Sequence, residues 1–329
     1  MKLGIIGTNF ISDWMMAAKQ QVPEISAVAV YSRTEEKGCA FAKRHHLEHV
    51  YTDFSEFANS SNFDAVYIAS PVCMHFSQAL SLLIHGKHVL CEKPATSCAD
   101  ELMQLVATAK QNNLVFMEAM RFAYDDSLPI VAEALPQIGT LRQASFYFCK
   151  YSSRYDDVRA GLNGINAFNP SLSNAALMDL GCYCIHGLIY LFGKPSSVFA
   201  SSYFLSNGFE AGGIALLSYP GFTGEAMYSK TIRHCPPCML LGEDGTIFLD
   251  SINHTTCIWL QRKEFPPEIL RYTEKLPNNM MFELREFYTC VDRQIFPEKQ
   301  IINSILTHEV MDDIRRQVGI VFPGDSPNF

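Results

Sequence analysis

The chain has 329 residues, enough for two domains of ordinary size. It is 48% hydrophobic and 18% charged, a globular composition able to bury large cores. A net charge of -8 without any basic run argues against a nucleic-acid partner, and apolar runs such as ALSLLI are far too short to cross a bilayer.

Met1 to Gly7 is a short apolar run soon followed by Asp13, which reads as a first strand and not as a signal peptide. Strand and helix patterns then alternate to about residue 120. FISDWMMAAKQ is helical, ISAVAVYS is a second strand and TEEKGCAFAKRHH a second helix. A short third strand near Val50 precedes FDAVYIAS, the fourth. MHFSQALSLLIHG is a helix, KHVLCEK a strand, CADELMQLVATAKQNN a helix, and LVFMEA closes the half. Apolar runs separated by helices mean strands covered on both faces, hence an α/β, doubly wound parallel sheet over 1–120.

After Arg121 the pattern changes. SLPIVAEAL is a short helix, and LRQASFYFCKYS, SVFASSYFL, GGIALLSYP, GEAMYSKTI, CMLLGEDGTIFLD and TTCIWLQRK read as successive strands. Joined without helices, they imply an α+β domain over 121–329 with a large, mostly antiparallel open sheet. One helix, roughly Ser173 to Phe192, interrupts the series, and helices near Met280–Val291 and Ile301–Val318 end the chain. The eleven cysteines sit largely in apolar segments such as FYFCKY and LGCYC. Without an export signal they are expected to be buried free thiols, and the protein cytoplasmic.

The first strand-to-helix turn is GIIGTNFIS, Gly4 to Ser12. In the dinucleotide-binding pattern G-x-G-x-x-G, the first glycine allows a tight turn, the second a close approach of backbone to pyrophosphate, and the third close helix packing. Aligned on Gly7, the second position is Asn9 and the third Ser12. Asn is among the few residues that readily take a positive φ, so Asn9 is expected to keep the turn in that conformation. Ser12 is small enough for close packing. Strand two ends in Tyr31-Ser32-Arg33-Thr34, with no acidic residue for ribose hydroxyls. A hydroxyl and a guanidinium there suit the 2′-phosphate of NADP and speak against S-adenosylmethionine, although Arg33 would serve equally as the start of a solvated helix.

HGKHVLCEKPAT, with Glu92-Lys93-Pro94 ending a strand, resembles the Gfo/Idh/MocA oxidoreductase family. SPVCMH, Ser70 to His75, looks like that family's strand-four turn, and ALMDLGCYCIHGLIYLFG, Ala176 to Gly193, resembles its catalytic helix. Asn9, and Val72 where Asn often follows the proline, depart from the family pattern. The resemblance implies a Rossmann domain followed by an α/β domain whose open sheet mediates a homodimer or a dimer of dimers. It implies NADP, with NAD as the alternative, held by Gly7, Thr8, Asn9, Phe10, Ile11, Ser32, Arg33, Ser70, Pro71, His75, Glu92 and Lys93. The implied activity is hydride transfer at a carbinol carbon of a small-molecule substrate, a sugar, polyol or related diol.

Oxidising an alcohol requires removal of the hydroxyl proton as hydride leaves carbon. Lys93 follows a strand at its carboxyl end, where open α/β sheets bind ligands, and the resemblance suggests a cis Lys93–Pro94 bond. Its ammonium can hydrogen-bond a reacting oxygen and lower the pKa of a neighbouring acid. Asp179, Tyr183 and His186, spaced i, i+4 and i+7, fall on one helix face. Tyr183 suits proton donation to a carbonyl, Asp179 orientation of substrate or of Lys93, and His186, one turn on, enters as a substrate contact. The plain alternatives are a surface lysine, a core aromatic and a core histidine. H-x-x-E-H at His45 to His49 lacks a third zinc ligand and reads as a solvated turn, and the single C-x-x-C at Cys235 to Cys238 reads as a structural loop. The rival to an enzyme is a nucleotide-bound regulator of the same fold; retention of Lys93, Asp179 and Tyr183 favours the enzyme.

Overall fold

The computed structural model describes residues 1–162, 164–276 and 278–325. The chain forms two compact units, Met1–Tyr124 with Asn278–Ile302, and Asp125–Pro277 with Asn303–Phe329.

In the first unit β1 (Lys2–Ile6), α1 (Phe10–Lys19), β2 (Ser26–Tyr31), α2 (Glu35–His45), β3 (His49–Tyr51), α3 (Phe54–Asn59), β4 (Ala65–Ile68), α4 (Val72–Ile84), β5 (His88–Glu92), α5 (Ala99–Gln111) and β6 (Phe116–Ala119) follow one another. All six strands are parallel, in the order β3-β2-β1-β4-β5-β6. Every residue of β4 and β6 is buried, as the unbroken apolar runs require of strands covered on both faces. The order reverses between β1 and β4, so connections leave their carboxyl ends in opposite directions and open a crevice there.

The second unit opens with α6 (Ser127–Ala134), β7 (Leu141–Cys149), α7 (Tyr155–Arg159) and, after a π-helical turn at Leu177–Gly181, α8 (Cys182–Phe192). Then come β8 (Ser197–Phe204), β9 (Glu210–Tyr219), β10 (Phe222–Ser229), β11 (Cys238–Gly242), β12 (Gly245–Leu249), β13 (Cys257–Arg262) and β14 (Glu268–Tyr272). The eight strands are ordered β14-β13-β12-β11-β7-β10-β9-β8 and are antiparallel except for β7 with β10. The helix α9 (Met280–Asp292) returns to the first unit, where Met280, Leu284 and Phe287 join a core with Leu3, Ile5, Met15 and Tyr67. α10 (Glu298–Val318) follows.

α8 covers one face of the eight-stranded sheet. Two glycines bring it close: a Cβ on Gly181 would lie 2.8 Å from the Tyr228 ring, and one on Gly187 2.9 Å from the Phe146 ring. The other face carries a row that register fixes across all eight strands, Phe199, Leu216, Glu225, Ser145, Met239, Phe248, Trp259 and Ile269. Phe248 and Trp259 stack at 4.9 Å, while Phe199, Leu216 and Ile269 are 63%, 44% and 58% exposed.

The structure departs from the sequence reading in several places. The helix expected from Ser173 starts at Ala176, because Ser173 takes a left-handed φ of 57°, and its first turn is π-helical. β14 was hidden behind Pro266-Pro267; as an edge strand with an exposed Ile269 it needs no strict apolar alternation. All eleven cysteines are free, but Cys39 and Cys235 are exposed, against the expectation of burial. α2 buries Gly38, Phe41 and Ala42 and turns Cys39 outward, and Cys235 lies in the β10–β11 connection. Among the described residues, no helix is long and apolar enough to cross a membrane.

Candidate active site

In the first unit, the residues expected to hold a dinucleotide lie at strand carboxyl ends: Gly7 after β1, Ser32 and Arg33 after β2, Ser70 and Pro71 after β4, Lys93 after β5. β2 to β5 spans three inter-strand spacings, about 15 Å. Gly7 has φ +102°, and a Cβ there would sit 2.7 Å from Ala69 O, so both conformation and space require glycine. Asn9 does not have the positive φ expected of it. Its φ is -87°, and it is the N-cap of α1. Its Oδ1 accepts from the amides of Ile11 and Ser12 at 3.0 and 3.2 Å, and its Nδ2 donates to Ala69 O at 2.9 Å. Thr8 and Ile11 are half-buried, Ser12 is buried, and Phe10 is exposed with its ring edge-on to Trp14. At the end of β2, Ser32 is buried and Arg33 exposed. In the H-x-x-E-H segment, His45 lies 2.6 Å from Asp13 of α1, and Asp13 also pairs with Arg44 at 2.8 Å.

The turn after β5 is pinned from three sides. The Lys93–Pro94 bond is cis. The amide of Lys93 donates to Glu92 Oε2 at 3.3 Å, and that of Ala95 to Glu118 Oε1 at 2.8 Å. The buried His75 ring places Nδ1 3.0 Å from Pro94 O and Nε2 2.8 Å from Ser70 O. A neutral ring can donate to only one of these carbonyls. Burial lowers the His75 pKa, and the two carbonyls act in the opposite direction. Ser70 Oγ donates to Gln78 at 2.6 Å, which fixes the β4 turn.

Two acids support this turn, Glu92 half-buried and Glu283 fully buried. Glu92 Oε1 accepts from Tyr67 OH at 2.5 Å; burial raises its pKa against that bond and the charges of Lys93 and Arg121. Glu283 of α9 is fully buried, and neither of its oxygens has a hydrogen-bond partner among the described residues. Burial, and then the charge of Glu92, push its pKa well above the usual range, so Glu283 is the acid that keeps its proton. Glu283 escaped the sequence reading because it occupies an ordinary glutamate position in an amphipathic helix.

In the second unit, the π turn carries Asp179 and α8 carries Tyr183 and His186. The regular i, i+4 spacing from Asp179 to Tyr183 does not hold across a π turn. Asp179 is paired with Lys230 Nζ at 2.8 Å. That lysine is buried, donates to Ala167 O at 3.0 Å and stands over the Phe168 and Phe209 rings. Lys230, at the end of GEAMYSKTI, was also missed; its only sequence signal is a charge closing a strand. The Tyr183 ring is buried and meets Phe148 edge-on at 5.2 Å. His186 is buried with Nδ1 3.2 Å from Thr307 Oγ1. The start of the π turn is held by Glu210, whose Oε2 accepts from the Leu177 amide at 3.0 Å.

Comparisons with known proteins agree with this geometry. A family model described as an oxidoreductase family with an NAD-binding Rossmann fold matches residues 1–120, and a GFO/IDH/MocA C-terminal domain model matches 136–248. The sequence is 39% identical to scyllo-inositol 2-dehydrogenase (NADP(+)) IolU of Bacillus subtilis (strain 168), over 99% of both chains. It is 27% identical to trans-1,2-dihydrobenzene-1,2-diol dehydrogenase of Mus musculus, again over 99% of each. The solved structure of KijD10, a 3-ketoreductase from Actinomadura kijaniata in complex with NADP and TDP-benzene, shares the fold with a TM-score of 0.86 at 21% identity, over 97% of this chain and 98% of that one.

Glu210 links this region to pH. Burial pushes its pKa from 4.5 up to about 7, against its hydrogen bond from the Leu177 amide. Between those values the folded chain holds a proton that the unfolded chain has lost. Stability therefore falls as pH rises through that window, by at most about 1.4 kcal/mol per unit. Glu210→Gln keeps the acceptor for Leu177 and removes the titration. Urea unfolding at pH 5, 6 and 7 should show the wild type losing stability relative to the variant with each step. Parallel profiles would show that Glu210 ionises as an ordinary carboxylate.

Proposed function

The chain belongs to the Gfo/Idh/MocA family of NAD(P)-dependent oxidoreductases, and from that premise we propose that it is an NADP-preferring dehydrogenase or reductase of a polyol, sugar or related diol. The observation that carries this reading is the chain-long 39% identity to an enzyme named for scyllo-inositol and NADP(+). The residues present fit the cofactor. Gly7 lets backbone approach a pyrophosphate at the amino end of α1. Because Asn9 occupies the amides of Ile11 and Ser12, the earlier amides of Thr8, Asn9 and Phe10 would be the ones to hold a pyrophosphate. Ser32 and the exposed Arg33 read the 2′-phosphate, and Ser70 and Pro71 border the crevice on the β4 side. His75 and Glu92 contribute by fixing the Lys93 turn.

The nicotinamide, when bound, supplies or accepts the hydride. The chain handles the proton. Tyr183 gives it to the carbonyl oxygen in reduction and takes it back in oxidation, and the Lys93 ammonium stabilises the oxygen as charge develops on it. Asp179, held by Lys230, orients the substrate. His186, already engaged with Thr307, serves the substrate pocket as a wall of α8.

The uncovered face of the eight-stranded sheet, with its row from Phe199 to Ile269, fits a second copy of this chain. Light scattering should give a dimer mass or a multiple of it, and Leu216→Glu should shift it toward the monomer. A wild-type monomer at micromolar concentration overturns the assignment.

Losing a charge-assisted bond to phosphate costs roughly 1.5–3 kcal/mol. Arg33→Ala should therefore weaken NADPH about ten- to a hundredfold in a fluorescence titration and leave NADH nearly unchanged. Equal losses for both cofactors would show that Arg33 does not read the 2′-phosphate.

General acid–base groups contribute about 10²–10⁴-fold. With scyllo-inositol or the best substrate of a polyol and carbonyl panel, Lys93→Met and Tyr183→Phe should each lower kcat by at least about a hundredfold, with NADPH affinity kept. Tyr183→Phe at the parental rate would remove Tyr183 from the proton's path. Tight NADPH binding with no turnover across the panel would favour the regulator reading.

A further inference from the structure

The connection from β10 to β11 contains Cys235-Pro236-Pro237, and Cys238 opens β11. Both cysteines reach β7. Cys238 is fully buried, accepts from the Tyr147 amide at 3.4 Å and donates to Tyr147 O at 3.7 Å. Cys235 is exposed, and its sulfur accepts the amide of Cys149, the last residue of β7, at 3.1 Å. That bond seats the Cys235 sulfur against Cys149, whose thiol is close enough to shift its pKa. An exposed cysteine thus sets its sulfur 3.1 Å from the backbone nitrogen of a buried one. Arg233 and His234 precede Cys235 in the same segment, and the Arg233 guanidinium lies 3.8 Å from the centre of the Tyr151 ring.

We propose that Cys235 and Cys149 form a reversible disulfide, Cys235 being the peroxide-reactive thiolate and Cys149 the thiol that resolves it. The neighbouring Cys149 thiol lowers the Cys235 pKa to about 7, and the Cys235 sulfur in turn raises that of Cys149. A solvent-accessible, low-pKa thiol beside a resolving cysteine is the arrangement that peroxide oxidises selectively. In the first step the Cys235 thiolate attacks one oxygen of hydrogen peroxide. An S–O bond forms, the O–O bond breaks and hydroxide leaves, so sulfur loses two electrons and peroxide gains them. In the second step the Cys149 sulfur attacks the sulfenic sulfur. The S–S bond forms, the S–O bond breaks, and the departing hydroxide takes the Cys149 proton as water. A dithiol reverses the bond by exchange. Cys238 takes no part, because its sulfur is spent on Tyr147 and burial pushes its pKa up to about 12.

The test uses the reduced, full-length protein, a few equivalents of hydrogen peroxide, an N-ethylmaleimide quench and non-reducing tryptic mapping. Two of the eleven thiols should become unreactive, and dithiothreitol should restore both. Cleavage after Arg142 and Lys150 isolates Cys149, whereas Cys235, Cys238 and Cys257 share the peptide ending at Arg262. Cys238→Ser and Cys257→Ser should keep the cross-link between the two peptides, and Cys235→Ser should abolish it. A serine at 235 still accepts the Cys149 amide, so Cys235→Ser should melt with the wild type. Cys149→Ser should leave a sulfenic acid on Cys235 that dimedone traps. A cross-link that survives Cys235→Ser or vanishes in Cys238→Ser overturns the pairing. Over-oxidation of Cys235 in the wild type with no cross-link overturns the resolving role of Cys149. If Cys149→Ser does not fold, the other three variants decide the matter.

Discussion

Three side chains, the buried Glu118 and His75 and the half-buried Glu92, hold residues 93–95 at the mouth of the first unit's crevice. Glu92 takes the Lys93 amide, Glu118 takes the Ala95 amide, and His75 faces Pro94 O while also reaching Ser70 O. Leaving a buried amide of such a turn unmet costs about 1–3 kcal/mol. The His75 ring joins the β4 turn to the β5 turn, so Ser70 and Lys93 share one support. The lysine's backbone is therefore held by hydrogen bonds on both sides of the turn.

Burying so many polar groups in one place has an electrostatic consequence. Burial and the charge of Glu92 raise the pKa of Glu283, whose oxygens have no hydrogen-bond donor among the described residues. The second unit solves a similar problem by pairing. Lys230 is buried only because Asp179, a carbonyl and two aromatic faces surround its ammonium. Asp179 in turn sits on a π turn, where i→i+5 hydrogen bonds replace the i→i+4 pattern.

Asn9 shows how a departure from a motif is accommodated. Glycine at that position would leave the amides of α1 open to a ligand. Asn9 caps them itself and ties the turn to Ala69. The turn keeps its shape because Gly7 alone supplies the positive φ. The C-P-P-C segment is accommodated in a comparable way. The amides of Tyr147 and Cys149 find their acceptors there in two sulfurs, those of Cys238 and Cys235.

The sequence by itself determined the two kinds of sheet, since apolar runs between helices and alternating runs without them bury different numbers of faces. It also determined the first turn, because Gly7 stands where no side chain fits, and the family, because Glu92-Lys93-Pro94 and the Ala176–Gly193 helix are local in the chain. What only the tertiary structure decided depends on residues distant in sequence. Periodicity says that α9 has an apolar face but not which sheet it covers; Met280, Leu284 and Phe287 settle that by packing with Leu3 and Tyr67. Nothing in the spacing of Lys230 and Asp179, of Glu283 and Glu92, or of Cys149 and Cys235 marks them as neighbours. Such pairs are created when strands and helices far apart in the chain are brought together, and their energetics come from a buried environment that no short segment carries.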